Sequence, residues 1–249
     1  MTRSLSLVLS GLLAAAGMAQ AKLLTCGDAP YESGKYVCYD SKFLCPVIAG
    51  EGLSYCSGAC YSRYMYTCTD NALEQLKPLA SGTPFSLIVS NPAVMALDGM
   101  TVGACDQQFN AGNKTCSYCP QGAACPASAS TVLLAPSDSG PVALDASTPG
   151  GQSVYIDSTG SVGYTKPHSA MKPTNATTSG LVAYDKGGLV NLNSGGYGWV
   201  ACPSQVNGTF GYTISAASKE NNSTLAKCTP VNLKVKPQAT GTVGAWEYI

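Results

Sequence analysis

The sequence has 249 residues, of which 11% are charged, and its 14 basic and 14 acidic side chains give a formal net charge of zero. This balance excludes the basic surface that nucleic-acid binding requires, and the sequence has no acidic or basic tail. A surface so poor in charge suits neutral, hydroxyl-rich partners such as polysaccharides.

Residues 1–21 have the pattern of a secretory signal peptide. Arg3 precedes a short apolar run at 5–16, and a small-x-small cleavage motif ends at residue 21, so the mature chain is expected to start at Lys22. The apolar run is too short to span a bilayer, and the C-terminus lacks the apolar tail of a lipid-anchor signal. We therefore expect a secreted protein, extracellular or in the cell wall, with no membrane anchor.

The spacing of the cysteines predicts the domain organisation. An even number of cysteines is expected to pair in an oxidising compartment. Their clustering indicates a cysteine-rich module at 22–76, a linker at 77–83 and a larger domain at 84–249. The cysteines predicted to form disulfides are Cys26, Cys38, Cys45, Cys56, Cys60, Cys68, Cys105, Cys116, Cys119, Cys125, Cys202 and Cys228.

The module contains one unit written twice. The pattern C-x4-Y-x4-Y-x-C-x-D begins at Cys26 and again at Cys56. Equivalent units suggest equivalent bridges within each unit, and the two unmatched cysteines would then join the halves. Such cross-links are needed because so short a segment cannot bury a sufficient core alone. The suggested pairs are Cys26–Cys38, Cys56–Cys68 and Cys45–Cys60.

The tyrosines of the module are the candidate ligand-binding residues. A tyrosine ring can stack on the apolar face of a pyranose while its hydroxyl bonds the polar rim. Tyr36 and Tyr66 are equally well explained as core residues, and we expect the other tyrosines in the set to be exposed. The two aspartates are candidates for bonding sugar hydroxyls, although such positions are also typical of turns. The predicted carbohydrate-binding residues are Tyr31, Tyr36, Tyr39, Tyr61, Tyr64, Tyr66, Asp40 and Asp70.

The joint spacing of cysteines and tyrosines at 26–76 resembles the family-52 carbohydrate-binding module of fungal endo-1,3-β-glucanases. This resemblance implies binding to cell-wall β-1,3-glucan. The segments that carry it are Cys26-Gly27, Tyr31, Tyr36-Val37-Cys38-Tyr39-Asp40, Phe43-Leu44-Cys45-Pro46, Cys60-Tyr61 and Tyr66-Thr67-Cys68.

The region from residue 84 onward is predicted to be an all-β domain. Short segments rich in β-branched and aromatic residues alternate with Gly, Asn, Asp and Pro turns. Leu87, Leu134 and Leu181 are evenly spaced, which favours a β-trefoil-like architecture with the cysteines at 105–125 in an insertion; a β-sandwich is the alternative. The predicted strands are 85–89, 131–134, 153–156, 181–184, 189–192, 199–201 and 209–214.

Several short glycine- and aromatic-containing segments mark this domain: Gly151-Gln152-Ser153-Val154-Tyr155, Gly163-Tyr164, His168-Ser169, Gly180-Leu181 and Gly198-Trp199-Val200-Ala201-Cys202-Pro203. In these segments the domain resembles the phialide-type secreted proteins of fungal cell walls. The resemblance implies a location at the wall and no defined reaction.

Asn-x-Ser/Thr sequons in the domain predict exposed glycosylation sites. Two of them overlap, and we expect only one of that pair to be used. The predicted sites are Asn113, Asn175, Asn207, Asn221 and Asn222.

We predict no catalytic residue, metal or cofactor. The sequence has no recognisable carboxylate pair for glycoside hydrolysis and no G-x-S-x-G motif, and its single histidine, His168, lies in a predicted loop. Cys116-x-x-Cys119 is interpreted as a structural disulfide pair. Trp199 is predicted to lie in the core, and the role of Trp246 stays open.

The sequence thus predicts a secreted, non-catalytic carbohydrate-binding protein whose protein partners are unknown. One alternative is a structural cell-wall glycoprotein without specific glycan binding, in which the tyrosines form the core. The other is a hydrolase with an unrecognised site.

Overall fold

The computed structural model describes residues 23–126, 129–137, 140–206, 209–242 and 244–249. The predicted signal peptide, Lys22 and the sequon at Asn207 lie outside the described residues. Within those residues the regular secondary structure is β, apart from one 3-10 turn at Leu192–Ser194. None of the described segments forms a helix with the length and hydropathy of a membrane span.

The cysteine-rich module is built from small antiparallel sheets. The pairs β1–β2, β6–β7 and β8–β9 are hairpins, and β3, β4 and β5 form a three-stranded sheet. The strands are β1 (Leu23–Cys26), β2 (Ala29–Glu32), β3 (Tyr36–Tyr39), β4 (Phe43–Ile48), β5 (Glu51–Gly52), β6 (Ser54–Cys56), β7 (Ala59–Tyr61), β8 (Tyr66–Thr69) and β9 (Ala72–Gln75).

The duplicated sequence folds into duplicated hairpins. Cys26 pairs with Ala29 across the β1–β2 turn, as Cys56 pairs with Ala59 across the β6–β7 turn. Disulfides join Cys26 to Cys38 and Cys56 to Cys68, each with a sequence separation of 12. The first unit (residues 23–48) and the second unit (residues 54–75) therefore share one local architecture. The two unmatched cysteines form the bond Cys45–Cys60, which joins β4 to β7.

The C-terminal domain is dominated by one ten-stranded sheet in the order β11-β12-β17-β16-β15-β14-β10-β22-β20-β21. Because β12 also pairs with β21, the hydrogen bonding closes into a ring from β12 round to β21, with β11 paired to β12, and leaves few open edges. The strands are β10 (Pro84–Ser90), β11 (Val102–Cys105), β12 (Gln108–Ala111), β13 (Ser117–Tyr118), β14 (Leu133–Leu134), β15 (Ala143–Leu144), β16 (Gln152–Ile156), β17 (Val162–Tyr164), β18 (Leu181–Ala183), β19 (Leu189–Asn191), β20 (Trp199–Val206), β21 (Thr209–Ala216), β22 (Thr229–Pro237) and β23 (Glu247–Tyr248).

The core of this domain follows from alternation along its strands. Phe85, Leu87 and Val89 of β10 are buried, and the intervening serine and isoleucine are half-buried. Side chains in a strand point to opposite faces in turn, so this period of two places one face of β10 against the core. The longest strand, β22, repeats the pattern with Val231 and Leu233 buried.

The evenly spaced leucines do not mark three equivalent units. Leu87 pairs with Val235 in the middle of the large sheet, whereas Leu134 lies in the two-residue strand β14. Leu181 belongs to the separate hairpin β18–β19. Similar local patterns thus occupy different tertiary settings, because short apolar strands can pair with many partners.

The module and the domain are joined by backbone hydrogen bonds. The Gly188 amide donates to the Tyr64 carbonyl at 3.0 Å, and the Leu79 amide donates to the Ala183 carbonyl at 2.8 Å. Residues 77–83, which the sequence predicts as a linker, are held to the domain by an isolated bridge between Pro78 and Tyr184, the residue that follows β18. The segment is therefore fixed to the domain and does not behave as a free tether.

Candidate functional site

Four tyrosines occupy equivalent places in the two units. Tyr31 lies on β2 and Tyr61 on β7, the second strand of the matching hairpin. Tyr36 begins β3 and Tyr66 begins β8, each two residues before a bonded cysteine. We call Tyr31, Tyr36, Tyr61 and Tyr66 the tyrosine platform.

The platform tyrosines keep their hydroxyl groups free. Tyr36 is 42% exposed, and the other three are half-buried. In the part of the chain that the structure describes, no protein group hydrogen-bonds any of these four hydroxyls. A phenol that is partly exposed and unpartnered can present an apolar ring and a polar tip to a ligand at once.

Tyr39 has a different environment from the platform. Its ring stacks on Tyr55 at 5.7 Å between centroids, and Phe43 packs on the same Tyr55 ring at 4.7 Å. Its hydroxyl donates to the Leu53 carbonyl at 3.1 Å. Tyr39 is half-buried like Tyr31 and Tyr61, but its ring joins the two units through Tyr55 and its hydroxyl already has a protein partner.

Tyr64 is half-buried, because its ring packs against Gly188 of the C-terminal domain. Its hydroxyl donates to Glu51 Oε2 at 2.7 Å, and Arg63 forms an ion pair with the same carboxylate. Burial, reinforced by the Glu51 carboxylate, raises the pKa of Tyr64 to about 12. The residue therefore serves the contact between module and domain, which the sequence alone does not indicate.

Asp40 and Asp70 lie at the tips of equivalent hairpins. Both are exposed and have positive φ values, 51° and 50°. Asp70 and Asn71 form a two-residue loop with positive φ at both positions, the geometry of a type I′ turn. Each aspartate comes four residues after a platform tyrosine, roughly 13 Å along an extended strand. An aspartate and that tyrosine are therefore too far apart to contact the same sugar ring.

A groove lies where the module meets the C-terminal domain, and we call it the interdomain groove. It has a volume of about 190 Å³. Glu51, Arg63 and Tyr64 line it from the module, and residues 189–191, 194 and 196–199 line it from the domain together with Asn232. Sequence reasoning missed this site because its walls come from segments far apart in the chain. The cluster Gly195-Gly196-Tyr197-Gly198 is the local signal that could have pointed to it.

The cysteines of the domain are also bonded, but the motif Cys116-x-x-Cys119 is not a pair. Cys116 bonds Cys105 and Cys119 bonds Cys125. The remaining bond, Cys202–Cys228, joins β20 to the segment that leads into β22. The interpretation of Cys116 and Cys119 as partners of each other is therefore wrong.

The sequons differ in accessibility. Asn175 and Asn222 are exposed. The expected exposure is wrong at Asn221, which is 7% exposed because its side-chain amide donates to the carbonyls of Thr159 and Ala216. It is also wrong at the amide of Asn113, whose two polar atoms are buried. In the folded protein, Asn222 is the accessible member of the overlapping pair.

The other predicted residues have structural settings. Trp199 is buried, and its indole N–H donates to the Leu189 carbonyl at 2.6 Å. Trp246 is half-buried. His168 is exposed in a loop, with Nε2 3.4 Å from the Thr148 hydroxyl. In the described ranges, histidine, cysteine and acidic side chains do not gather in any group of three that could hold a metal ion.

Comparison with known proteins gives two family matches. Residues 25–73 match a carbohydrate-binding family, and residues 85–249, more than half of the chain, match the PhiA-like secreted protein family. The fold and the matches define a secreted, disulfide-bonded protein with an N-terminal carbohydrate-binding module. The chain belongs to the PhiA-like secreted protein family. Both resemblances drawn from the sequence are confirmed.

Two curated relatives are similar to this chain. An uncharacterized secreted protein of Arthroderma benhamiae is 29% identical over 171 residues, which cover 64% of this chain and 82% of that protein. The primary septum glucan endo-1,3-beta-D-glucosidase of Schizosaccharomyces pombe is 42% identical over 48 residues, 19% of this chain and only 5% of that enzyme. No solved structure matches the chain.

Proposed function

We propose that this protein binds β-1,3-glucan of the cell wall through the tyrosine platform and does not cleave it. The observation that carries the proposal is the contrast among the module's tyrosines. The platform hydroxyls have no partner in the described chain. By contrast, the Tyr39 hydroxyl donates to the Leu53 carbonyl and the Tyr64 hydroxyl donates to the Glu51 carboxylate. The platform is thus the part of the aromatic set that remains available to a ligand.

Charge and repetition support a neutral polymer as that ligand. A formal net charge of zero offers no electrostatic attraction to a charged polysaccharide. Two equivalent sets of rings match a ligand with a repeating structure, and two weak contacts on one chain bind more tightly than either alone. The choice of β-1,3-glucan is supported by the match of the module to part of a glucan endo-1,3-beta-D-glucosidase.

Binding without turnover is supported by the settings of several carboxylates. Asp157 accepts hydrogen bonds from the amides of Thr159 and Ser161, and Asp98 accepts one from Asn91. Glu51 is engaged by Arg63 and Tyr64. These acids stabilise turns and the contact between module and domain, so each of them has a structural role in the fold.

The test is retention of the secreted chain on insoluble β-1,3-glucan, with cellulose and chitin for comparison. We expect selective retention by the wild type and loss of retention in a Tyr31→Ala/Tyr61→Ala variant that remains folded by circular dichroism. Tyr118→Ala is the matched control, because Tyr118 is 52% exposed in the C-terminal domain. Retention unaffected by the double variant contradicts the platform, and retention on no polymer favours a structural wall glycoprotein. Release of reducing sugar contradicts binding without turnover.

A further inference from the structure

The interdomain groove combines an apolar floor with a polar rim. Leu189, Trp199 and Leu233 line the groove and are buried. At its edge, Tyr197 remains 36% exposed and Ile48 is also exposed. An apolar floor with an aromatic ring at its edge suits the C–H face of a sugar ring.

The polar groups around the groove have unused hydrogen-bonding capacity. Asn232 is half-buried, and within the described residues its side chain has no hydrogen-bond partner. The Asn191 side chain accepts a hydrogen bond from the Asn193 amide, so its own NH₂ group is still able to donate. Arg63 directs one end of its guanidinium to Glu51, which leaves further N–H groups for a ligand.

We propose that the interdomain groove is a second carbohydrate-binding site, which holds a short segment of a neutral glucan chain. The inference rests on the proposed function for the class of ligand. Planar amide and guanidinium groups are well suited to bonding vicinal hydroxyls, whereas an acyl chain would leave them unpaired at an energetic cost. The groove's volume of about 190 Å³ is below the roughly 300–1,000 Å³ typical of pockets that enclose a whole small ligand. It therefore suits part of a longer chain.

The groove depends on both parts of the protein. The hydrogen bond between the Gly188 amide and the Tyr64 carbonyl, 3.0 Å long, holds its two walls together. On the domain side, Tyr197 lies in a loop with glycines on both sides. At Gly195, Gly196 and Gly198 even an added Cβ would meet no atom within 4 Å. This loop therefore has room for the Tyr197 ring to adjust to a ligand.

The test uses the full secreted chain and a soluble β-1,3-linked glucose hexasaccharide, with the β-1,4-linked hexasaccharide for comparison. Calorimetry gives the Kd, and occupancy is reported by tryptophan fluorescence in a Trp246→Phe background, where Trp199 in the groove is the remaining tryptophan. We expect Tyr197→Ala and Asn232→Ala each to raise the Kd roughly three- to tenfold and to reduce the fluorescence change. Tyr118→Ala should match the wild type, and thermal unfolding should show that every variant is folded.

The outcomes separate this site from the platform. Absence of hexasaccharide binding by the wild type overturns the groove proposal, and so does binding that is unchanged in folded Tyr197→Ala and Asn232→Ala variants. In both cases retention on insoluble glucan that depends on Tyr31 and Tyr61 leaves the platform intact. Conversely, a Tyr31→Ala/Tyr61→Ala variant that keeps its retention removes the platform, and a fluorescence change that still depends on Tyr197 then supports the groove.

Discussion

The first and second units of the module share one sequence pattern, but their neighbours in the structure differ. Both carry a hairpin, an internal disulfide and two platform tyrosines at matching positions. The first unit has Gly34 where the second has Tyr64. An added Cβ at Gly34 would meet no atom within 4 Å, whereas the Tyr64 ring lies against Gly188 of the C-terminal domain.

The positions that differ between the units are the ones that assemble the molecule. Tyr39 and Tyr55 stack on each other, and the duplication places threonines at their counterparts, Thr69 and Thr25. Tyr64 docks the second unit onto the domain. The repeated tyrosines, by contrast, have no hydroxyl partner in the described chain. Duplication has therefore preserved tyrosines whose hydroxyls have no partner in the described chain, and divergence has supplied the packing around them.

Removing the disulfide that joins the two units should have the largest effect on stability. The Cys45–Cys60 disulfide has a sequence separation of 15, and its removal by Cys45→Ser/Cys60→Ser should cost about 3 kcal/mol of unfolding free energy. Because this bond joins the units, we expect faster amide hydrogen exchange in both. The matched control, Cys26→Ser/Cys38→Ser, should loosen the first unit alone, since the second is still held by the domain. Equal exchange patterns in the two variants would falsify this division of roles.

Crowding the contact between Tyr64 and Gly188 should have the next largest effect on stability. A Cβ at Gly188 would lie 2.8 Å from the Leu233 carbonyl oxygen and 2.9 Å from Cδ1 of Tyr64. We therefore expect Gly188→Ala to destabilise the protein by about 1–3 kcal/mol in denaturant unfolding. Gly34→Ala is the control, since that position is open and should be close to neutral or slightly stabilising. Comparable stability of the two variants would show that the second unit is not docked as described.

Much of the fold follows from local patterns in the sequence. The duplication indicates two equivalent disulfides, and the remaining pair, Cys45 and Cys60, follows by elimination within the symmetric scheme. Each of the seven strands predicted in the domain overlaps an observed strand. The longest strand, β22, was missed although Val231, Leu233 and Val235 alternate with polar residues, because prolines at both ends suggest turns.

The site was less predictable, because exposure depends on tertiary contacts. Tyr61 is repeated as Tyr31 whereas Tyr64 has Gly34 as its counterpart, but this difference does not show that Tyr64 packs on the domain while Tyr61 keeps a free hydroxyl. Asn221 and Asn222 share overlapping sequons, yet only the first is buried in a hydrogen-bond network. Local sequence specifies the chemical groups, whereas their availability to a ligand depends on segments far away in the chain.

Single substitutions in the tyrosine platform test whether both units bind the ligand. If both units contact the glucan, Tyr31→Ala and Tyr61→Ala should each weaken retention by about 0.5–1.5 kcal/mol, measured as binding isotherms on insoluble glucan. The double variant should lose more than either single variant, because the contacts act on one polymer. A response to Tyr31→Ala alone would mean that docking has removed the second unit from the binding surface.

The smallest expected effect is the loss of stability at alkaline pH that comes from Tyr64, where the second unit contacts the C-terminal domain. Burial raises the pKa of Tyr64 to about 12, above the usual tyrosine value of about 10. The folded state therefore holds this proton more tightly than the unfolded state. The resulting stabilisation is complete below about pH 10 and is lost as the pH rises through about 12. Because the side chain is only half-buried, solvent screening keeps the effect modest.

The comparison variant is Tyr64→Phe, which keeps the ring and removes the titrating group. Burial also raises the pKa of Tyr164 and Tyr248, so the wild type and the variant should share a general loss of stability at alkaline pH. The wild type should lose additional stability between pH 10 and 12 in denaturant titrations. If the stability curves of the wild type and the variant run parallel over that range, the Tyr64 hydroxyl is not buried between the second unit and the domain.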